Sequence, residues 1–370
     1  MARRATLHRL PAAHPGDTAP LEALMDQGAL DPRLIVAILG KTEGNGCVND
    51  FTRAFAVHAM AGMLARRMLT TPEIVLEKVA MVMSGGTEGG LSPHWLVVSV
   101  VPDGGDAIPG RARLAIGTAF TDPLPPAALG RAAQAEATAA AVRDAMEAAG
   151  ITDPAAVHYV QVKCPLLTSE RIAASAEPVV THDTYASMGF SRGASALGVA
   201  LALGEVAEVT DAMVLRDLSA FSHSAACSAG VELTRAEIVV MGMSPDWAGD
   251  LVIAHDVMAD AIDLDAIRRA LAAAGLPPGP GQMAGAENLV ALLVKAEPSS
   301  NGAIRGLRHI MNDDSDINAT RHARALVGGV VAAATGRTDA FVSGGAEHQG
   351  PDGGGPVAVI ARVAAAVSPP

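Results

Sequence analysis

Lysine is rare in this chain of 370 residues, and its positions constrain the fold more than any other sequence feature. The chain has four lysines against 23 arginines. Three of the four, Lys41, Lys163 and Lys295, each end a short apolar run that is typical of a buried strand. The intervals between them are 122 and 132 residues, each close to a third of the chain. Such regular spacing indicates a threefold internal repeat.

A second pattern, Ser-x-Gly-x-Glu, recurs with these lysines and supports the same repeat. It occupies residues 84–88, 228–232 and 343–347, which begin 43 to 65 residues after each lysine. Each unit therefore reads as strand, helix, strand ending in lysine, helix, strand ending in the serine pattern, and a final strand. The clearest helices are predicted at 51–69, 127–149, 195–205, 264–274 and 319–334.

Segments rich in Gly, Pro and Asp separate the units at 102–106 and 244–250. We assign repeat unit A to residues 1–104, repeat unit B to 111–249 and repeat unit C to 255–370. The alternation of strands and helices predicts an α/β fold in which helices cover the strands of each unit. The strand order within each unit is left open by this pattern.

Composition excludes several classes of function. The net charge of −12 and the ten aromatic residues provide neither the positive surface nor the stacking platforms that nucleic acid binding requires. No apolar run approaches the roughly 18 residues of a transmembrane helix, and the arginines near the start precede no apolar segment of signal-peptide type. Three cysteines, Cys47, Cys164 and Cys227, cannot form a disulfide framework. We therefore predict a cytoplasmic protein that binds neither nucleic acid nor membrane.

The repeated lysine and serine point to nucleophilic catalysis. A serine hydroxyl becomes a strong nucleophile only when a base takes its proton, and lysine is such a base only when its pKa is lowered. Burial and a nearby cation both lower the pKa of a lysine. The candidate cations are Arg53, Arg192 and Arg324, which follow the three lysines by 12, 29 and 29 residues. The glycines beside the serines leave backbone N–H groups free to bind an oxyanion.

Competing motifs find less support. The segment 40–42, Gly-Lys-Thr, would need a glycine at position 35 to end a nucleotide-binding P-loop, and that residue is Ile35. The acidic run 312–316 lacks the glycine and the final glutamate of a calcium loop. No zinc motif of the His-Glu-x-x-His or Cys-x-x-Cys type occurs. Cys227 precedes one of the three serines, but Met83 and Val342 stand at the equivalent positions, so a small buried residue is the better interpretation.

Six longer segments resemble the cyanuric acid hydrolase/barbiturase family, and the chain is most similar to its cyanuric acid hydrolase members. The likeness extends from about residue 15 to residue 363. It implies three concatenated α/β repeats with pseudo-threefold symmetry around a central active site, known as the Toblerone fold. The segments that carry it are 40–50, 83–89, 161–166, 187–198, 315–324 and 343–351.

The resemblance also implies roles for individual residues, with one Ser–Lys pair in each repeat. The second pair carries the chemistry in this family, so Ser228 is expected as the nucleophile and Lys163 as its general base. One departure is that Ala229 replaces the glycine found beside the other two serines. The residues expected to contact the substrate are Lys41, Arg53, Ser84, Gly85, Arg192, Ala229, Lys295, Arg324, Ser343 and Gly344.

The expected reaction is hydrolysis of one ring C–N bond of cyanuric acid to carboxybiuret, which loses CO2 to give biuret. No catalytic cofactor is expected, but the family implies a homotetramer and a structural Mg²⁺ or similar cation in repeat unit C. Three alternatives stay open: a barbiturase that opens barbituric acid to ureidomalonate, a non-catalytic binding protein, and a nucleotide-binding protein. The expected metal ligands are Glu297 and the backbone oxygens of Ala346, Gln349, Gly350, Pro351 and Gly354.

Overall fold

The computed structural model describes residues 2–277 and 279–363 as a mixed α/β structure with three principal sheets. The predicted α/β class is therefore confirmed. The last seven residues assigned to repeat unit C, 364–370, lie outside the described residues. Among the described helices, none has both the length and the apolar character needed to cross a bilayer.

The first sheet is built mainly from the N-terminal part of the chain, and the other two follow in sequence. The strands of the first sheet are β1 (Arg3–Pro11), β2 (Ile35–Thr42), β3 (Ala80–Gly85) and β4 (His94–Val101), with the short β9 (Trp247–Ala248) added at its edge. The second sheet comprises β5 (Arg113–Phe120), β6 (Val157–Pro165), β7 (Ala225–Gly230) and β8 (Glu237–Ser244). The third comprises β10 (Leu251–Met258), β11 (Leu289–Ala296), β14 (Phe341–Gly344) and β15 (Gly355–Arg362), and a two-stranded ribbon is formed by β12 (Ala303–Ile304) and β13 (Leu307–Arg308).

In the described part of the chain, eight α-helices connect and cover these strands. The longest helix between the lysine-bearing and serine-bearing strands of each sheet is α2 (Phe51–Met68), α6 (Thr184–Leu203) or α8 (Ala319–Thr335). These three begin at the capping side chains of Asp50, Asp183 and Asn318. Each of these side chains accepts a hydrogen bond from a backbone N–H of the first turn, as N-caps do. The helices are α1 (Ala19–Asp26), α2 (Phe51–Met68), α3 (Pro72–Lys78), α4 (Ala132–Ala149), α5 (Ser169–Ala174), α6 (Thr184–Leu203), α7 (Leu264–Ala273) and α8 (Ala319–Thr335).

The three principal sheets share one strand order, which the sequence pattern had left open. They run β3-β2-β4-β1, β7-β6-β8-β5 and β14-β11-β15-β10. In each sheet the lysine-bearing strand pairs in parallel with the serine-bearing strand and antiparallel with the last strand. The strand β9 joins the first sheet by pairing with β1, although it follows β8 in the chain.

A continuous apolar core runs through all three sheets. It contains Leu39 of β2, Val162 of β6 and Leu293 of β11, each with no exposed surface. The lysine-bearing strands are buried along nearly their whole length. This burial agrees with the near-continuous apolar runs in their sequences, because strands covered on both faces lose the alternation of apolar and polar residues.

Two helices begin at a different residue from the one predicted from the sequence. The helix predicted at 195–205 begins eleven residues earlier, at Thr184, because Asp183 caps it. Its first half contains glycine and serine, which have low helix propensity, and the tertiary packing of this segment overrides that preference. The helix predicted at 127–149 begins at Ala132, because Gly130 has a positive φ of 75° and ends the preceding turn.

Helices α4 and α6 pack at close range, and this contact holds the helix that precedes β7. Gln134 of α4 donates hydrogen bonds to the hydroxyls of Ser191 and Ser195 on α6, at 2.8 and 3.0 Å. At Gly198 of α6 a methyl group would overlap the carbonyl oxygen of Ala135 on α4. The close approach of the two helices therefore requires glycine at this position.

The substitution Gly198→Ala is expected to lower the free energy of unfolding by about 1–3 kcal/mol, because the added methyl group overpacks the contact with a backbone atom. The control is Gly329→Ala in α8, where a methyl group would meet no atom within 4 Å. That change is expected to raise stability by about 0.5–1 kcal/mol through helix propensity. Denaturant unfolding of both variants checks this, and equal effects would contradict the close helix contact.

Candidate active site

The strand pairing brings each predicted lysine beside its predicted serine. Because the two strands of each pair are parallel and in register, the residues lie directly opposite one another. All three lysines are buried, with at most 1% of their surface exposed. The Cα partners are Lys41 with Ser84, Lys163 with Ser228, and Lys295 with Ser343.

The three serines meet at one small cavity. Its volume is about 20 Å³, which is room for about one water molecule. The hydroxyls of Ser84 and Ser343 are 3.4 Å apart although the residues are 259 positions apart in sequence. Met83, Met188 and Gly46 also line the cavity, and the sequence prediction did not include them. The predicted residues at the cavity are Arg53, Ser84, Gly85, Lys163, Arg192, Ser228, Ala229, Arg324, Ser343 and Gly344.

Lys41 and Lys295 lie behind this lining and reach it through their serines. The Nζ of Lys41 is 3.3 Å from the hydroxyl of Ser84, and the Nζ of Lys295 is 3.3 Å from that of Ser343. Lys295 also donates a hydrogen bond of 2.7 Å to the carbonyl oxygen of Cys227 in the second sheet.

Lys163 is held differently from the other two lysines. Its Nζ donates a hydrogen bond of 2.6 Å to the carbonyl oxygen of Met83 in the first sheet and forms an ion pair of 2.9 Å with Glu232. The hydroxyl of Ser228 is buried and has no hydrogen-bond partner within 2–277 and 279–363. The expected pair Ser228–Lys163 is therefore adjacent through its strands but not hydrogen-bonded in this state.

Burial and positive neighbours lower the pKa of all three lysines. Burial, followed by Arg324, holds the pKa of Lys41 well below its usual range. Burial and Arg192 lower the pKa of Lys295 to about 7. Burial also lowers the pKa of Lys163, and although Glu232 raises it and Arg53 lowers it, the net direction is down.

The arginine beside each lysine comes from a different one of the three predicted units, which the sequence intervals did not indicate. Arg324 of unit C faces Lys41 of unit A, whereas Arg53 of unit A faces Lys163 of unit B. The arginines lie on α2, α6 and α8, and these helices carry them across the boundary to the neighbouring sheet.

Each arginine meets a glutamate of the Ser-x-Gly-x-Glu pattern, to which sequence analysis had given no role. Arg324 makes two hydrogen bonds to Glu88, at 2.7 and 2.6 Å, and Arg192 makes two to Glu347, at 2.8 and 2.5 Å. Such forked pairs join both donors of a guanidinium to both oxygens of a carboxylate. The recurrence of glutamate four residues after each serine was the signal for this role.

Several residues of the predicted metal site lie together at a second cavity of about 430 Å³. Glu297, Ala346 and Gly350 line it. The side-chain oxygen of Gln349 accepts a hydrogen bond from the backbone N–H of Cys227. The carbonyl oxygen of Pro351 accepts one from the backbone N–H of Gly354. No cluster of three or more His, Cys, Asp or Glu side chains arranged to hold a metal occurs in the described part of the chain.

Glu297 itself fits a cation. One of its carboxylate oxygens is buried and has no hydrogen-bond partner in the described ranges. Burial and then the neighbouring Glu347 raise the pKa of Glu297 to about 8. A buried carboxylate without a partner is costly, and a bound cation is one way to satisfy it.

Comparison with known proteins shows relatives along almost the whole chain. A family model described as "Amidohydrolase ring-opening protein" matches residues 6–362. A cyanuric acid amidohydrolase of Bradyrhizobium sp. (strain ORS 375) is 57% identical over 97% of this chain and 98% of its own. Another, from Methylobacterium sp. (strain 4-46), is 56% identical over the full length of both chains.

Solved structures give the same result. A structure described as "Cyanuric acid hydrolase: evolutionary innovation by structural concatenation" superposes with a TM-score of 0.94 at 48% identity, covering 98% of this chain and 100% of that one. A cyanuric acid hydrolase from A. caulinodans superposes with a TM-score of 0.90 at 52% identity and the same coverage. The resemblance inferred from the sequence motifs is confirmed, and the chain belongs to the family of ring-opening amidohydrolases.

Proposed function

We propose that this protein is a cyclic amidase that hydrolyses one ring C–N bond of cyanuric acid. The observation that carries the proposal is the single cavity at which serines from three separate sheets meet, each beside a buried lysine. The names of relatives more than half identical to this chain support the choice of substrate.

The substrate has the symmetry that such a cavity can use. Cyanuric acid is a flat ring in which three carbonyl groups alternate with three N–H groups. We propose that units 1–104, 111–249 and 255–370 are concatenated repeats around a pseudo-threefold axis, so that each offers one carbonyl a serine and backbone donors. The shared strand order of the three sheets supports this arrangement.

In the proposed mechanism, Ser228 is the nucleophile and Lys163 is its general base. The Ser228 oxygen bonds to a ring carbonyl carbon while its proton passes to the unprotonated amine of Lys163. The ring C–N bond then breaks as Lys163 returns that proton to the leaving nitrogen. Water cleaves the resulting acyl-enzyme to carboxybiuret, which loses CO2 to give biuret. The unpartnered hydroxyl of Ser228 and the lowered pKa of Lys163 support these roles.

The remaining residues would bind and orient the ring. Ser84 and Ser343, with the N–H groups of Gly85 and Gly344, would hold the two carbonyls that do not react. The N–H of Ala229 would face the oxyanion, since donors fixed in a dry site stabilise developing charge. Lys41 and Lys295 would act through their serines, to which they are hydrogen-bonded. Arg53, Arg192 and Arg324 would contact the ring oxygens.

The cavity is smaller than the ring that it would accept. At about 20 Å³ it has room for little more than a water molecule, so the lining must move outward when substrate binds. The flexible side chains of Met83 and Met188, which lie in the lining, are able to give way.

A structural cation in repeat unit C is the second part of the proposal. Glu297 and backbone oxygens of Ala346, Gln349, Gly350, Pro351 and Gly354 would hold Mg²⁺ or a similar ion, which would neutralise the buried carboxylate. The raised pKa and unpartnered oxygen of Glu297 support this site. The homotetramer and the cytoplasmic location stay predictions.

Two other functions are less well supported. A barbiturase would use the same geometry, but the close relatives compared above are named cyanuric acid amidohydrolases. A non-catalytic binding protein would be expected to lack some of the six serines and lysines, and all six are present and buried.

Ser228→Ala and Lys163→Ala are each expected to reduce cyanuric acid hydrolysis by more than about 10³-fold, because each removes one partner of the reacting pair. Biuret release measures the activity, and the melting temperature reports whether the fold is intact. The matched control is Ser84→Ala, which removes a binding contact and is expected to raise KM more than it lowers kcat. Barbituric acid serves as the competing substrate.

Near-normal turnover by Ser228→Ala or Lys163→Ala would show that a different pair carries the reaction. Faster turnover of barbituric acid than of cyanuric acid by the wild-type protein would instead favour the barbiturase.

Removing divalent ions with a chelator is expected to lower the melting temperature of the wild-type protein, and Mg²⁺ is expected to restore it, because a ligand that binds only the folded state stabilises it. Glu297→Gln is expected to remove this response, whereas Glu287→Gln, which alters an exposed carboxylate, keeps it. A melting temperature that changes with neither the chelator nor added Mg²⁺ would argue against the cation site.

A further inference from the structure

Three arginine–glutamate pairs join the repeat units in a closed cycle. Glu88 of unit A meets Arg324 of unit C, Glu347 of unit C meets Arg192 of unit B, and Glu232 of unit B faces Arg53 of unit A. Each glutamate is the last residue of a Ser-x-Gly-x-Glu pattern, so the three occupy equivalent positions in the sequence repeat.

The third pair departs from the other two. Arg324 and Arg192 each make two short hydrogen bonds to their glutamates. In contrast, the Nε of Arg53 is 3.5 Å from Glu232 and has no hydrogen-bond partner among the described residues. Arg53 instead donates to the carbonyl oxygen of Cys47, at 2.9 Å.

Glu232 lies closer to a lysine, Lys163, than to its arginine, Arg53. Its Oε1 is 2.9 Å from the Nζ of Lys163, and both side chains are at least 95% buried. No corresponding ion pair joins Lys41 to Glu88 or Lys295 to Glu347 within the ranges that the structure covers. The departure is therefore confined to the repeat whose serine has no hydrogen bond.

We propose that Glu232 is a positioning residue that makes Lys163, rather than Lys41 or Lys295, the base of the reaction. In this proposal Ser228, Lys163 and Glu232 act together, and the carboxylate holds the amine through an ion pair rather than a hydrogen bond, in the role that aspartate has toward histidine in serine proteases. This inference rests on the proposed function, because it assigns a role within the same reaction.

The proton balance defines what Glu232 does. When Ser228 attacks, its proton moves to the neutral amine of Lys163 and the electron pair of the carbonyl moves to oxygen. The new ammonium lies 2.9 Å from a carboxylate, so its charge is stabilised in a dry site where an unpaired charge is costly. Lys163 then gives the proton to the leaving ring nitrogen, and Glu232 remains ionised throughout.

Four ionisable groups act on Lys163 from the surrounding elements. Glu232 follows β7, Arg53 lies on α2, Cys164 is the next residue of β6, and Glu237 begins β8. Burial opposes the negative charge of Glu232, but Lys163 and Arg53 outweigh it and lower the pKa of this carboxyl. Glu232 is therefore ionised at neutral pH and acts on Lys163 as a negative charge.

The test compares Glu232→Gln with the equivalent Glu88→Gln. Activity requires neutral Lys163, so kcat/KM rises as pH passes the pKa of Lys163. Loss of the negative neighbour lowers that pKa further, so Glu232→Gln shifts the acid limb of the pH profile to lower pH. It also lowers kcat by about 10²-fold or more, because the ammonium loses its partner.

Glu88→Gln releases Arg324, to which the proposed function gives a contact with the substrate, and it is therefore expected to raise KM while the acid limb stays in place. Glu232→Asp restores the charge with a side chain shorter by one methylene. Glu232→Asp is expected to leave the acid limb of the pH profile at its wild-type position and to have a kcat between those of the wild type and Glu232→Gln. If Glu232→Gln does not fold, Glu232→Asp is the variant that tests the inference.

Equal changes in kcat and in the acid limb for Glu232→Gln and Glu88→Gln would overturn the inference, since both glutamates would then be structural. A wild-type profile for Glu232→Gln together with an inactive Ser228→Ala would also overturn it and leave the proposed function standing. A wild-type protein that does not hydrolyse cyanuric acid would overturn the proposed function itself.

Discussion

Burial of three lysine amines at the junction of the three sheets is the constraint on which the rest of the structure depends. An amine removed from water must be hydrogen-bonded or paired, because an uncompensated buried charge costs several kcal/mol. Two of the three lysines meet this need with a carbonyl of the neighbouring sheet, which Met83 supplies to Lys163 and Cys227 to Lys295. Each of these carbonyls belongs to the residue just before a cavity serine, so satisfying one lysine also fixes the serine of the preceding unit.

Under the proposed function, the same junction would explain how a nearly symmetric site reacts at one carbonyl only. Two of the three arginine–glutamate pairs between the units are forked. In the third pair, Glu232 lies closer to Lys163 than to Arg53 and forms its ion pair with the lysine. Because the proposed substrate has threefold symmetry and presents the same face in any of three orientations, a single asymmetric position would be sufficient for catalysis. The other two positions would then bind and orient the substrate, which in itself lowers the barrier by holding reactants together.

Sequence analysis predicted the elements that depend on local pattern. The lysines end buried strands, the serines lie opposite them, and the α/β class is as predicted, because a repeated strand pattern fixes both burial and register. Sequence analysis did not predict three features: the strand order, the start of α6 at Thr184, and the pairing of Arg53 with Glu232 between units. The strand order and the partners of Arg53 and Glu232 depend on contacts between residues far apart in the chain, about which periodicity carries no information. The N-cap Asp183 was a local signal for the start of α6, but the glycine and serine that follow it have low helix propensity.

The most direct test is NMR titration of protein labelled with ¹³C at the lysine side chains, since the chain has only four lysines and substitution to arginine assigns each signal. Buried amines at the junction of the sheets should titrate below the usual lysine pKa of about 10.4. The account predicts this for Lys41 and Lys163. Titration of both at about 10.4, as for amines in water, would contradict it.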